Sequence, residues 1–184
     1  MVKIGKVKHS ILANLSNKLK SSFSIFNISI NPVMNFIPLV DSEYNLIRRQ
    51  YYASKILNRI LNYGQQEGFF RTLGIIDKDI FTSSLNFVFG LAISPKNRIT
   101  DGSVAALISI TRLREGFYRR ADNNDIFELR IQKEAIHELG HTFNLGHCDK
   151  FCIMRFSNSL ADTDEKPVKF CNICMNKLNN FFNT

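Results

Sequence analysis

A chain of 184 residues with 45% hydrophobic content can bury one substantial core and is too short for two typical domains. Its 24 Lys and Arg against 16 Asp and Glu give a formal charge of +8, but the basic residues are scattered (Lys3, Lys55, Arg71, Lys96, Arg114, Lys133), which argues against a dedicated nucleic-acid platform. No stretch approaches the ~20 apolar residues of a membrane span, and Met1 to Asn14 lacks an apolar signal core, so the expectation is a cytoplasmic protein with no membrane partner.

Val2 to Val7 alternates weakly and predicts a first strand. Ile11, Leu12, Leu15, Leu19 and Phe23 then recur at three- and four-residue steps, the face of an amphipathic helix. Ser24 to Ile30 nearly alternates before Asn31-Pro32 and predicts a second strand, followed by a proline-bearing loop to Val40. Asp41 or Ser42 is the expected cap of a long helix carrying Ile47, Tyr51, Ser54, Leu57 and Leu61 and ending at Gly64. Thr72 to Ile76 and Ala105 to Ile110 are short apolar runs suited to buried strands, and Asn86 to Ala92 is a strand closed by Pro95. Five strands in one sheet are expected. A polar break at Arg120 to Asp125 precedes a helix over Phe127 to Phe143, with Ile131, Ala135, Leu139 and Thr142 inward. Beyond Asn144 the reading is mostly loop with one short terminal helix, held by metal. The chain is thus one domain over 1–184, with sheet and helices in 1–144 and a C-terminal subdomain in 145–184.

Residues 137 to 147 read H-E-L-G-H-T-F-N-L-G-H. His137 and His141 are one helical turn apart, so both imidazoles project from one face and can reach a single ion. Glu138 lies one residue along, too far around the helix to be a natural ligand but placed to contact a water on the metal. A catalytic zinc needs a third protein ligand and one open position, and His147 supplies the third if the chain turns sharply after the helix. Asn144 sits where that turn must occur, and asparagine tolerates left-handed backbone better than any residue but glycine. The expected chemistry is hydrolysis, with Glu138 as general base.

All four cysteines fall in the last quarter of the chain. Cys148 and Cys152 form a C-x3-C pair, Cys171 and Cys174 a C-x2-C pair. Four sulfur ligands in one short tail suit a closed, tetrahedral structural zinc better than disulfides, which would spread across the fold. A redox role for the C-x2-C pair is the alternative, but no strand-helix context of the thioredoxin kind surrounds it.

These residues resemble the metzincin metallopeptidases through the extended zinc motif. The cysteine set and the run C-I-M-R-F-S-N-S-L from Cys152 to Leu160 resemble the archaemetzincins among them, with Met154 at the Met-turn position beneath the catalytic metal. L-G-I-I-D-K-D-I-F (73–81), N-F-V-F-G-L-A (86–92) and the strand ending at Arg112-Leu113 are also similar to that family. The resemblance implies an α/β fold with a mostly parallel five-stranded sheet and one antiparallel edge strand. It also implies a zinc metallopeptidase with two zinc ions per chain, acting on a peptide or protein that adds along the edge strand at Asn86 to Ala92. Three positions depart from the family pattern: Asn144 replaces a glycine, the first cysteine pair is one residue shorter than usual, and Phe156 has no hydroxyl to assist an oxyanion, leaving Arg155 and Asn144 as candidates. The rival reading is a zinc-stabilised peptide-binding protein with little or very selective hydrolytic activity. Intact Glu138 argues against it.

Overall fold

The computed structural model describes residues 1–95 and 102–183. The chain enters through β1 (Val2–Ile4), and Gly5 at φ 64° turns it out of the strand toward α1 (His9–Ser22), whose Leu12, Leu15 and Leu19 are buried. The strand expected at Ser24 to Ile30 does not form. Ser24–Phe26 is a 3-10 turn, and Asn27 takes left-handed backbone at φ 49°, which breaks any strand. Phe26, Ile28 and Ile30 still pack on the core from irregular chain, so their alternation reports burial and not pairing. The second strand, β2 (Phe36–Ile37), lies instead inside the proline-bearing loop and runs parallel to β1.

The long helix expected from Asp41 starts later. Asp41–Glu43 is a 3-10 turn, β3 (Tyr44–Asn45) and β4 (Gln50–Tyr52) form an antiparallel hairpin, and α2 (Ala53–Gln66) follows. Leu46 and Ile47 stand exposed in the turn of the hairpin. Buried Glu43 accepts two bonds from Arg59 of α2, at 2.9 and 3.0 Å, and this tertiary pair keeps the preceding segment off the helix axis.

The central strands are β5 (Arg71–Ile76), followed by the two-residue β6 (Ile80–Phe81), then the edge strand β7 (Gly90–Ala92) and β8 (Val104–Ser109). The main sheet has the order β2-β1-β5-β8-β7, parallel throughout except for β7, which pairs antiparallel with β8. A small second sheet, β3-β4-β6, flanks it. Side chains of β5 and β8 alternate between two cores. Leu73, Ile75, Ala106 and Ile108 face α1 and the helix that follows β8; Ile76, Ala105 and Leu107 face α2, where Ile56 and Ile60 are fully buried. Each fully buried aliphatic side chain of this kind contributes roughly 1.5–3 kcal/mol.

That next helix is α3 (Asn124–Thr142), capped by the Asn123 side chain, which accepts from the Ile126 amide at 3.1 Å. The tail holds two helices where one was expected, α4 (Leu160–Glu165) and α5 (Asn172–Phe182). The α4 segment is docked on α3 by polar contacts. Arg130 donates twice to Asp164 at 2.7 Å, and the Lys133 ammonium donates to the Thr163 and Asp164 carbonyls at 2.9 and 2.6 Å. Among the described residues no helix is long and apolar enough to cross a membrane.

Candidate metal centres and active-site cleft

The site is built on the second half of α3, which is buried on nearly every side. Its C-terminus closes with the Leu145 amide bonded to the Gly140 carbonyl (3.1 Å) and the Asn144 amide to the His141 carbonyl (3.0 Å). This pair of bonds defines a Schellman turn, whose central residue must be left-handed. Asn144 takes that place at φ 63°. The turn reverses the chain and returns His147 to the face that carries His137 and His141.

The three imidazoles converge: ring centroids are 4.7 Å apart for His137 and His141, 5.4 Å for His137 and His147, and 4.9 Å for His141 and His147. His137 Nδ1 donates to the Ile153 carbonyl at 2.9 Å and His141 Nδ1 to the Leu145 carbonyl at 2.8 Å. With both Nδ1 protons engaged, each ring offers its Nε2 lone pair inward. The two Nε2 atoms are 3.1 Å apart, close to the ~3.3 Å that Zn–N bonds of 2.0–2.1 Å give at a tetrahedral angle. Burial holds the His137 imidazole well below its ordinary range and lowers His141 and His147 as well, so all three are neutral, as metal ligands must be.

Met154 is fully buried beneath this helix. A Cβ on Gly140 would overlap the Met154 sulfur, so the glycine in H-E-L-G-H is what lets the methionine lie against the helix backbone. A second close approach fixes Glu138. A Cβ on Gly90 of β7 would fall 2.5 Å from the Glu138 carboxylate, which is thereby pressed between α3 and the edge strand. Burial, with the neighbouring Glu134 carboxylate adding to it, pushes the Glu138 carboxyl well above the ordinary range.

The cysteines gather as a second cluster, with all four sulfurs within 4.8 Å of one another. Cys148 Sγ and Cys171 Sγ are 3.8 Å apart, the separation of about 3.8 Å that Zn–S bonds near 2.3 Å give in a tetrahedron. None of the four is in a disulfide. The Cys174 amide pulls the Cys171 thiol down to about 7, whereas burial pushes the Cys152 and Cys174 thiols up, so full ionisation of the cluster requires a cation among the sulfurs.

A cleft of about 690 Å³ opens over the histidines, walled by residues 82–92 of the edge-strand segment on one side and Phe156 to Asn158 on the other. The segment expected to be strand from Asn86 is strand only from Gly90, but all of it lines the cleft. Phe156 lies against His147 with ring centroids 4.8 Å apart. Sequence reasoning missed Glu134 and Lys166, a buried ion pair (2.9 Å) that also lines the cleft. The i, i+4 spacing of Glu134 and Glu138 was the available signal for the first. The second has none in its local sequence.

A model of peptidase family M54 matches residues 13–180. The archaemetzincin of Thermococcus kodakarensis is 36% identical over 180 residues, covering 97% of this chain and 93% of that protein. The archaemetzincin of Nanoarchaeum equitans is 41% identical over 147 residues, 79% of this chain and 72% of that protein. Among solved structures, an archaemetzincin from Archaeoglobus fulgidus, complexed with malonate, superposes with TM-score 0.76 at 33% identity, covering 96% of this chain and 97% of its own. A zinc-dependent peptidase from Methanocorpusculum labreanum superposes with TM-score 0.81 at 27% identity, covering 97% and 98%. With the histidine cluster, the sheet order and near full-length similarity in agreement, the chain belongs to peptidase family M54, the archaemetzincins, and is a zinc metallopeptidase.

Proposed function

We propose that His137, His141 and His147 hold the catalytic zinc and that Glu138 is the general base of peptide-bond hydrolysis. The observation that carries this reading is the 3.1 Å separation of two Nε2 atoms whose rings are locked by Nδ1 bonds to backbone carbonyls. When bound, the zinc activates a water for attack and polarises the scissile carbonyl. Glu138, held against Gly90, takes up the proton of the attacking water and delivers it to the leaving amine. The substrate is a peptide or protein, and its main chain lies along β7, beyond which the main sheet has no further strand among the described residues. Cys148, Cys152, Cys171 and Cys174 hold a second, structural zinc in a closed site, and residues 145–184 act as a C-terminal subdomain organised by it.

Metal analysis of the purified protein is expected to give two zinc ions per chain. Glu138→Gln is expected to keep both and to lose cleavage of an unbiased peptide library by at least ~10²-fold. Undiminished cleavage by that variant would show that another group is the base.

A further inference from the structure

Lys166 is 1% exposed, follows directly on α4 and lines the active-site cleft. Its Nζ lies 2.9 Å from Glu134 Oε1, an oxygen that also accepts from the Thr163 hydroxyl at 3.0 Å. An ammonium has three donors, yet among the described residues Lys166 Nζ makes no hydrogen bond of good geometry; Glu134 neutralises it in part without satisfying it. Ser157 Oγ, on the same cleft, is likewise buried and without a partner. Buried donors left without acceptors are costly and uncommon. Two of them lining one substrate cleft point to a ligand that brings acceptors.

Their position says which part of the substrate that ligand is. Glu134, Glu138 and His141 follow one another along one side of α3, so the Lys166–Glu134 pair lies one turn beyond Glu138 as seen from His141. With Glu138 delivering its proton to the leaving amine, the residue that carries this amine is assigned to the Lys166 side of Glu138.

We propose that Lys166 and Ser157 form a carboxylate-binding subsite for the residue that carries the leaving amine. A carboxylate has two oxygens, one for each donor, and is the anion a peptide can present there. It is either an acidic side chain or the terminal carboxylate of a residue released from the end of a chain. The assignment of the side rests on Glu138 as proton carrier.

The test uses the zinc-loaded protein and two sets of peptides. One set compares Asp or Glu with Asn or Gln after the scissile bond, with amidated C-termini. The other compares a free with an amidated carboxylate on a single leaving residue. Wild type is expected to prefer the carboxylate in at least one set by about tenfold in kcat/KM, and the set that shows it identifies the source. Ser157→Ala should weaken the preference, and the double variant Glu134→Gln, Lys166→Met, which removes both buried charges together, should abolish it. Binding of the same peptides to Glu138→Gln, read by fluorescence anisotropy, should show the same order without turnover. Equal rates and equal binding for acid and amide in both sets, or a preference that survives both substitutions, would overturn the subsite. Failure of the Glu138 reading would show separately, as undiminished cleavage by Glu138→Gln.

Discussion

The Cys148 amide donates to the Met154 carbonyl at 3.0 Å, and this bond ties the cysteine cluster to the segment that lies beneath the histidines. Cys148 follows His147 directly. Met154 follows Ile153, whose carbonyl orients His137, and Cys152 precedes it. A thiolate cluster that fixes Cys148 and Cys152 thus fixes the third histidine and the carbonyl that aims the first. Cys171→Ser is expected to lower Tm by about 10 °C, the shift that ~3–5 kcal/mol produces in a domain of this size, and to weaken zinc at the histidines too. His141→Ala should leave one zinc per chain and a smaller loss of Tm. Metal analysis and thermal melts check this, and two independent losses, each confined to its own site, would sink the coupling.

Gly90→Ala tests the contact between the edge strand and Glu138. The added methyl has no room unless the carboxylate moves, and a displacement of about 1 Å in a catalytic group can lower turnover by up to ~10²-fold. Expected is a 10- to 100-fold loss of kcat with zinc content unchanged, because neither residue is a ligand. Full activity in the alanine variant would mean that Glu138 acts from another position.

Much of this site was legible because its parts are local. The spacing of His137, Glu138 and His141 is a property of one helix, and the turn to His147 needs one left-handed residue, which Asn144 supplies. The parallel core strands were readable as buried apolar runs for the same reason. What escaped depends on partners distant in sequence. Ile47 and Tyr51 fit a helical stripe, but Tyr44 packs against Tyr51 across a hairpin, ring centroids 4.8 Å apart, and Glu43 is held by Arg59. Asp77 and Asp79 follow β5 directly, and nothing in their local sequence marks them as ion-pair partners. Adjacent parallel strands end side by side, so these carboxylates meet Arg114 and Arg112 at 2.6 and 2.7 Å. Lys166 pairs with a carboxylate on another helix, and no local pattern announces it.

Glu138 also gives a stability signature in the metal-free protein. Its folded carboxyl is pushed above the ordinary range by burial and by Glu134. Such a group contributes fully below the unfolded pKa and loses that contribution as pH rises, since the unfolded state ionises first. Glu138→Gln carries no charge to bury. Chelator-treated Glu138→Gln is therefore expected to melt above chelator-treated wild type at pH 7, with the gap closing as pH falls toward about 4, where the unfolded carboxyl is itself protonated. Melting curves across that range check it. A variant that melts below wild type at pH 7 would show the buried carboxylate to be stabilised by a partner.

Asn144 offers the cleanest link from backbone to metal. The Schellman turn requires left-handed backbone at this residue, and φ 63° shows that asparagine adopts it. An L-residue in that region is strained by roughly 1–2 kcal/mol, asparagine less than most, and a β-branched residue more. Asn144→Gly relieves strain in the folded chain but adds freedom to the unfolded one, so its net effect should stay within about 1 kcal/mol, with zinc affinity held. Asn144→Val must strain the turn or abandon it. Abandoning it breaks the Leu145–Gly140 bond and shifts the Leu145 carbonyl that receives His141 Nδ1, while His147 loses its approach. Two of the three histidines are then misaimed, and zinc affinity should fall by about 10- to 100-fold, as it does when groups that orient metal ligands are lost. Competition with a chromophoric chelator measures all three proteins under one condition. Equal affinities for Asn, Gly and Val would mean that the turn does not aim the histidines, and the third ligand would have to be placed by the cysteine cluster alone.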